Sequence, residues 1–174
     1  CGVQTTEAME ALRDYVALAS RSFVSALDRL RMESSPSLLM TSPVLENSSG
    51  QDFYTVASVV KTASNLEHFH LYSTAKDTRA TDEVLPVHTD AGLFLAFVPG
   101  KTCDMKSTRS GDLYIEVNGE LKRAVFPDGA VGLMLGVGAE HWLENMGSLH
   151  LRAARHAVQM EPGTSRAWYG MSKY

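Results

Sequence analysis

The sequence is short of three things: cysteine, long apolar runs and clustered basic charge. Its two cysteines, Cys1 and Cys103, cannot build the disulfide framework of a small secreted domain. No apolar run reaches the roughly 18 residues that a membrane helix needs, so no such helix and no membrane partner is expected. Sixteen Lys and Arg stand against twenty Asp and Glu, a formal net charge of −4, and no basic block breaks that balance. Nucleic acid and anionic lipid are therefore not expected partners. Internal repeats and low-complexity tracts are missing too. What is present is ordinary for a globular chain. There are 174 residues, 44% hydrophobic and 21% charged, enough for one soluble domain with its own core. The chain opens on Cys1 rather than Met, so any targeting peptide would lie upstream. The compartment is unknown on these grounds, with the cytoplasm favoured, and the oligomeric state is unknown as well.

Two textures divide the chain. From Thr6 to about Arg31 the apolar residues Met9, Leu12, Tyr15, Val16, Ala19, Phe23, Ala26, Leu27 and Leu30 recur every three or four positions. That period predicts an amphipathic helix with one face on a core. Glu33-Ser34-Ser35-Pro36-Ser37 stops it. Residues 38–50 read as loop, and Phe53 to Lys61 leans towards strand. Beyond residue 65 come eight short apolar or alternating runs: Leu66 to Tyr72, Leu85 to His88, Leu93 to Val98, Leu113 to Val117, Leu121 to Phe126, Val131 to Val137, Leu149 to Met160 and Ser165 to Met171. Asn118-Gly119, Pro127-Asp128-Gly129 and Glu161-Pro162-Gly163 supply turn chemistry between them. Eight strands without a helix predict an antiparallel sandwich or barrel, with the N-terminal helix packed outside. Lys101 to Gly111, the longest polar loop of this half, is expected at the rim.

Chemistry is most concentrated at His88-Thr89-Asp90, a His-x-acid pattern whose two side chains share a face at strand spacing. With six histidines and twenty acidic residues, roughly 0.7 such pairs arise by chance, so the pattern needs its context. Val84-Leu85-Pro86-Val87 runs into it and Ala91-Gly92 leads out to another apolar strand. A polar pair between two buried strands must be satisfied, and a metal satisfies both members. A third ligand would come from His156, with His141 as its rival. Two histidines and a carboxylate with open positions form the facial triad of non-haem iron(II) oxygenases. Arg166 lies ten residues after His156; an odd-length turn such as Glu161-Pro162-Gly163 would let both face one interior, where Arg166 would anchor an acid. Other residues have blander readings. Tyr72 and Met134 suit plain packing, Arg152 and Arg155 exposed cations, and Cys103 an inert thiol. Gly132, Gly136 and Gly138 lie in or beside a strand with no helix expected after them, so a phosphate loop is not expected.

From about Leu66 to Tyr174 the chain resembles the isopenicillin N synthase-like branch of the iron(II)/2-oxoglutarate-dependent dioxygenases. The matching stretches are LEHFHLYS (Leu66 to Ser73), VHTDAGLFL (Val87 to Leu95), DLYIEV (Asp112 to Val117), FPDGAVGLMLGVG (Phe126 to Gly138) and RHAVQMEPGTSRAWYG (Arg155 to Gly170). The helix from Thr6 to Arg31 is similar to the long helix preceding the core in that family. The resemblance implies one domain: residues 1–65 as helical and loop support, and residues 66–174 as a double-stranded β-helix, or jelly-roll, barrel. It implies iron(II) held by His88, Asp90 and His156, and 2-oxoglutarate paired with Arg166. His70 and Tyr72 fall where the family places an Asn and a Tyr beside that acid. The implied activity is oxidation, such as hydroxylation, of a small organic substrate with O2. The family usually has Ser two residues after the Arg, where this chain has Trp168, and His70 replaces the Asn. Both departures fall on the acid's pocket rather than the metal site. Two rivals remain open. One is a cupin-type metal protein using His68 and His70, against which stands the missing acid in Leu71 to Ala75. The other is a catalytically inactive jelly-roll module for binding or scaffolding, which Trp168 favours.

Overall fold

The apolar period of the first thirty residues becomes one helix, α1 (Gly2–Ser34). Val16, Ser20, Val24, Leu27 and Arg31 are its buried positions, spaced as one side of an α-helix requires. Both polar members are satisfied. Ser20 Oγ donates to the Val16 carbonyl one turn back, at 2.8 Å. Arg31 donates from Nε, Nη1 and Nη2 to the carbonyls of Asn145, Tyr54 and Ser42 at 2.7, 2.8 and 2.8 Å. A buried guanidinium is tolerated only with such partners, and these three tie the end of α1 to three separate loops. The structure, a computed structural model, describes residues 2–34, 36, 42–77, 83–102 and 112–174. Cys1, Cys103, most of the expected rim and part of the expected loop after α1 lie outside the described residues.

After α1, β1 (Leu45–Glu46) and β2 (Asp52–Phe53) pair antiparallel. The strand expected over Phe53 to Lys61 is instead mostly helix, α2 (Val56–Thr62). Two features decide this, and neither is a matter of apolar period. Thr55 and Ser58 form a reciprocal capping box. The Asp28 carboxylate, reaching over from α1, accepts from the amides of Val56 and Ala57 at 2.6 and 3.0 Å. Orphan N–H groups of the first turn are thereby met, and helix wins over strand.

The remaining strands are β3 (Asn65–Ser73), β4 (Glu83–His88), β5 (Phe94–Thr102), β6 (Asp112–Val117), β7 (Glu120–Arg123), β8 (Gly132–Leu135), β9 (His156–Gln159) and β10 (Ser165–Lys173), with α3 (Val137–Trp142) between β8 and β9. They form two four-stranded antiparallel sheets, ordered β3-β10-β5-β8 and β4-β9-β6-β7. Every connection except the β6–β7 hairpin crosses from one sheet to the other. Among the described residues no ladder joins the sheets, so the expected barrel is an open pair of sheets rather than a closed one.

The first sheet is buried on both faces at β5, whereas the outer face of its edge strand β3 is exposed. On its outer side Phe94, Ala96 and Tyr169 join Val16, Val24 and Leu27 of α1 and Val56 of α2 in one core. Its inner side packs against the second sheet through Leu95, Phe97, Met134, Leu113 and Val158. Phe94 to Phe97 is therefore a continuous apolar run, as a strand covered on both faces must be.

Three expectations need correction here. The strand from Leu149 to Met160 is ladder-paired only over His156–Gln159. Before it, Leu149 and Leu151 turn into the α1 core, and Glu140 holds both the Arg152 side chain and the Ala153 amide. The strand expected to reach Val137 ends at Leu135, because Gly136 opens α3, a helix not expected in this half. Finally, β9 and β10 are not arms of one hairpin; they lie in different sheets, so the turn-parity argument linking His156 with Arg166 does not apply. Both residues are nonetheless buried and line one cavity, from opposite sheets.

Candidate metal centre

In the second sheet β4 and β9 run antiparallel, with His88 directly opposite His156. Their ring centroids are 4.2 Å apart with the planes at 53°. Asp90 follows just past the end of β4, and its Oδ1 lies 3.7 Å from His88 Nε2 and 3.9 Å from His156 Nε2. One donor atom from each residue falls within 4.8 Å of the others, the only such group of three among the described residues. His156 is buried, whereas His88 and Asp90 keep 33% and 24% side-chain exposure, so the group opens on one side.

The hydrogen bonds around this group fix its chemistry. His88 Nδ1 lies 2.8 Å from the Pro86 carbonyl, and His156 Nδ1 2.9 Å from the Ala154 carbonyl. A carbonyl only accepts, so each Nδ1 carries the proton and donates, and each Nε2 turns a lone pair towards Asp90. Neither Nε2 can then donate to the carboxylate. Asp90 Oδ2 is buried without a hydrogen-bond partner. Leaving a buried carboxylate oxygen unmet costs about 1–3 kcal/mol or more. A cation among the three meets both imidazole lone pairs and the charge of the carboxylate. Ligands bound at about 2.1 Å and at right angles sit about 3 Å apart, so the group needs only a small contraction to hold an ion. The donor set therefore fits a divalent transition metal.

The Asp90 turn is held from behind. The amides of Gly136, Val137 and Gly138 donate to the carbonyls of Leu93, Asp90 and Gly92 at 3.0, 2.8 and 2.7 Å. A Cβ on Gly136 or Gly138 would run into these carbonyl oxygens. A helix does follow these glycines, contrary to expectation, but their role is close backbone approach. Sequence reasoning weighed them only as a phosphate loop and missed that they seat the Asp90 turn. The carbonyls of Pro86 and Ala154 were missed as well, since main-chain acceptors leave no mark in residue identity.

Facing the triad from the first sheet are Tyr72, Arg166 and Trp168. Arg166 stands opposite Tyr72 in the β3–β10 register, and Trp168 opposite His70. The Arg166 side chain is buried, and its guanidinium packs against Gly100, where any Cβ would collide with it. Gly132 likewise leaves room for the Phe97 ring, and Gly170 for the edge of the Trp168 indole. The indole stacks on His70 at 4.9 Å and 8°, and His70 stacks in turn on Tyr72 at 5.8 Å. His70, expected beside an acid, is thus part of this stack and not of the cavity lining. The cavity between the triad and Arg166 measures about 60 Å³.

The cupin-type alternative places a metal on His68 and His70. The two rings instead meet each other, His68 Nδ1 to His70 Nε2 at 3.3 Å, and His68 Nε2 meets Ser172 Oγ at 2.9 Å. Burial, and then the neighbouring His70, push the His68 imidazole below its ordinary range. His141, the rival third ligand, is exposed on α3 and lines a different groove with Glu140 and His150.

Among solved structures, a dioxygenase for auxin oxidation in rice is similar in fold, with a TM-score of 0.54 at 17% identity. The alignment covers 90% of this chain and 44% of that one, so the chain spans less than half of that protein's length. No protein-family model matches the sequence, and no curated protein matches it significantly. No helix among the described residues is long and apolar enough to cross a membrane.

Proposed function

We propose that this chain is the jelly-roll unit of a non-haem iron(II) oxygenase that oxidises a small organic molecule with O2. The observation that carries the reading is the Asp90 carboxylate, with one oxygen beside two imidazole Nε2 atoms and the other buried and unmet. Two further facts support it. The strand order of the two sheets is that of an eight-stranded double Greek key, and a solved structure similar in fold is a dioxygenase. In this reading residues 66–174 are the catalytic core and residues 1–65 its support, within one domain.

His88, Asp90 and His156 would hold the ion on one side and leave its other side for substrate and O2. Iron(II), when bound, supplies the activation of O2 that no side chain can provide. The rest falls to this chain. The Pro86 and Ala154 carbonyls hold both imidazoles in the ligating tautomer. Leu95, Phe97, Met134 and Val158 wall the site with apolar surface. Arg166 and Tyr72 face the triad from the other sheet, where they would orient an acid by charge and hydroxyl. The acid implied by the resemblance is 2-oxoglutarate, with ten non-hydrogen atoms. The cavity of about 60 Å³, bounded in part by Trp168, is narrow for an acid of that size, so no step is assigned to it here.

Oxygen uptake tests the reading. Protein loaded anaerobically with iron(II) and then given O2 and a 2-oxo acid is expected to consume O2 in an iron-dependent way, and Asp90→Ala to lower that rate at least about 100-fold. Metal bound without iron-dependent uptake would favour the inactive binding module instead.

A further inference from the structure

The wall that faces the metal triad is built around one indole. Trp168 lines the cavity together with Arg166, Tyr72 and the triad and so bounds the space they share. It is fixed by two strands: from β3 His70 and His68 stack with it at 4.9 and 5.9 Å, and from β5 Phe97 meets it nearly edge-on at 6.4 Å and 81°. Gly170, where any Cβ would collide with the indole, leaves the notch that receives it. A half-buried indole stacked on two imidazoles and seated in a glycine notch is a fixed wall of the cavity. The remaining volume, about 60 Å³, is on the order of four waters at about 15 Å³ each.

We propose that Trp168 sets the size of the acid that this centre accepts: a short 2-oxo monocarboxylate of the glyoxylate or pyruvate class, and not a five-carbon dicarboxylate. The inference rests on the metal reading above and adds the identity of its acid and the residue that selects it. A short 2-oxo acid needs only the open side of the ion and a few atoms' width of cavity. A five-carbon dicarboxylate must also lay its chain towards Arg166, along the small cavity that the indole helps to bound.

Calorimetric titration of the cobalt(II)-loaded chain tests this, after cobalt binding itself has been measured. The unaltered protein should bind glyoxylate or pyruvate at least tenfold more tightly than 2-oxoglutarate. Trp168→Ser should improve 2-oxoglutarate binding at least tenfold while leaving cobalt affinity within about threefold. Trp168→Phe, which keeps a ring in the stack, should fall between the two and stands in if the serine variant does not fold. Equal affinity of the unaltered protein for short and long acids overturns the proposal, as does binding of none of them to the cobalt-loaded chain, or no gain for 2-oxoglutarate in either variant. Failure to bind cobalt at all overturns the metal reading instead, and is told apart because it is measured first.

Discussion

Two strands of this molecule carry the same short pattern and do opposite things with it. His68-Phe69-His70 on β3 and His88-Thr89-Asp90 at the end of β4 each turn two polar side chains to one face. On β3 the polar atoms find one another: His68 meets His70 and Ser172, and the rings stack with Trp168. On β4 they do not. The imidazole protons of His88 and His156 are spent on backbone carbonyls, and one carboxylate oxygen of Asp90 is left bare. The difference lies in what the neighbouring strand offers. β10 brings a hydroxyl and an indole to β3, whereas β9 brings a second imidazole, already tautomer-locked, to β4. A satisfied pair is structure, and an unsatisfied one waits for a ligand.

The comparison breaks most visibly at Asp90. Asp90→Asn should weaken divalent-metal affinity by about 100-fold or more, since a neutral amide replaces the one anionic ligand. Without metal, the same change should leave the chain equally stable or about 1 kcal/mol more stable at pH 8, because it removes a half-buried carboxylate with one unmet oxygen. Urea unfolding with and without cobalt(II) reads both effects. The mirror case is His68→Ala. It should cost about 1–3 kcal/mol of stability through the lost stack and hydroxyl contact, with metal affinity changed less than about threefold.

The smallest effect is one of pH. The folded His68 imidazole titrates below its ordinary value, so the unfolded chain takes up the proton first as the pH falls. Its contribution to stability is whole above about pH 6.5 and is lost as the pH drops from there towards the depressed folded value. Metal-free protein should therefore lose stability between pH 7 and 5, and His68→Ala should lose less over the same range. An equal slope in both would place the dependence elsewhere.

Much of this was written in local pattern. The α1 stripe, most strand positions and the Asn118-Gly119 turn follow from periodicity and turn chemistry, and His88 with Asp90 from strand spacing in an apolar setting. What escaped was set by distant partners. α2 depends on a carboxylate supplied by Asp28, and β9 is short because Glu140 captures the chain before it. Leu149 and Leu151 look like strand residues but pack against the helical core. His156 and Arg166 share a cavity through two different sheets, a relation that no count of turn residues reveals. The indole of Trp168 is visible in sequence as a departure, but the notch at Gly170 and the ring of His70 that hold it inward belong to the assembled sheet.

The central claim is that His88, Asp90 and His156 grip one metal ion, and metal titration of three proteins tests it most directly. The unaltered chain, His156→Ala and His141→Ala would each be titrated with iron(II) under anaerobic conditions, and bound metal counted per chain. The account predicts one ion for the unaltered chain and for His141→Ala, and none for His156→Ala. Metal retained by His156→Ala, or lost by His141→Ala while its fold is intact, would contradict it.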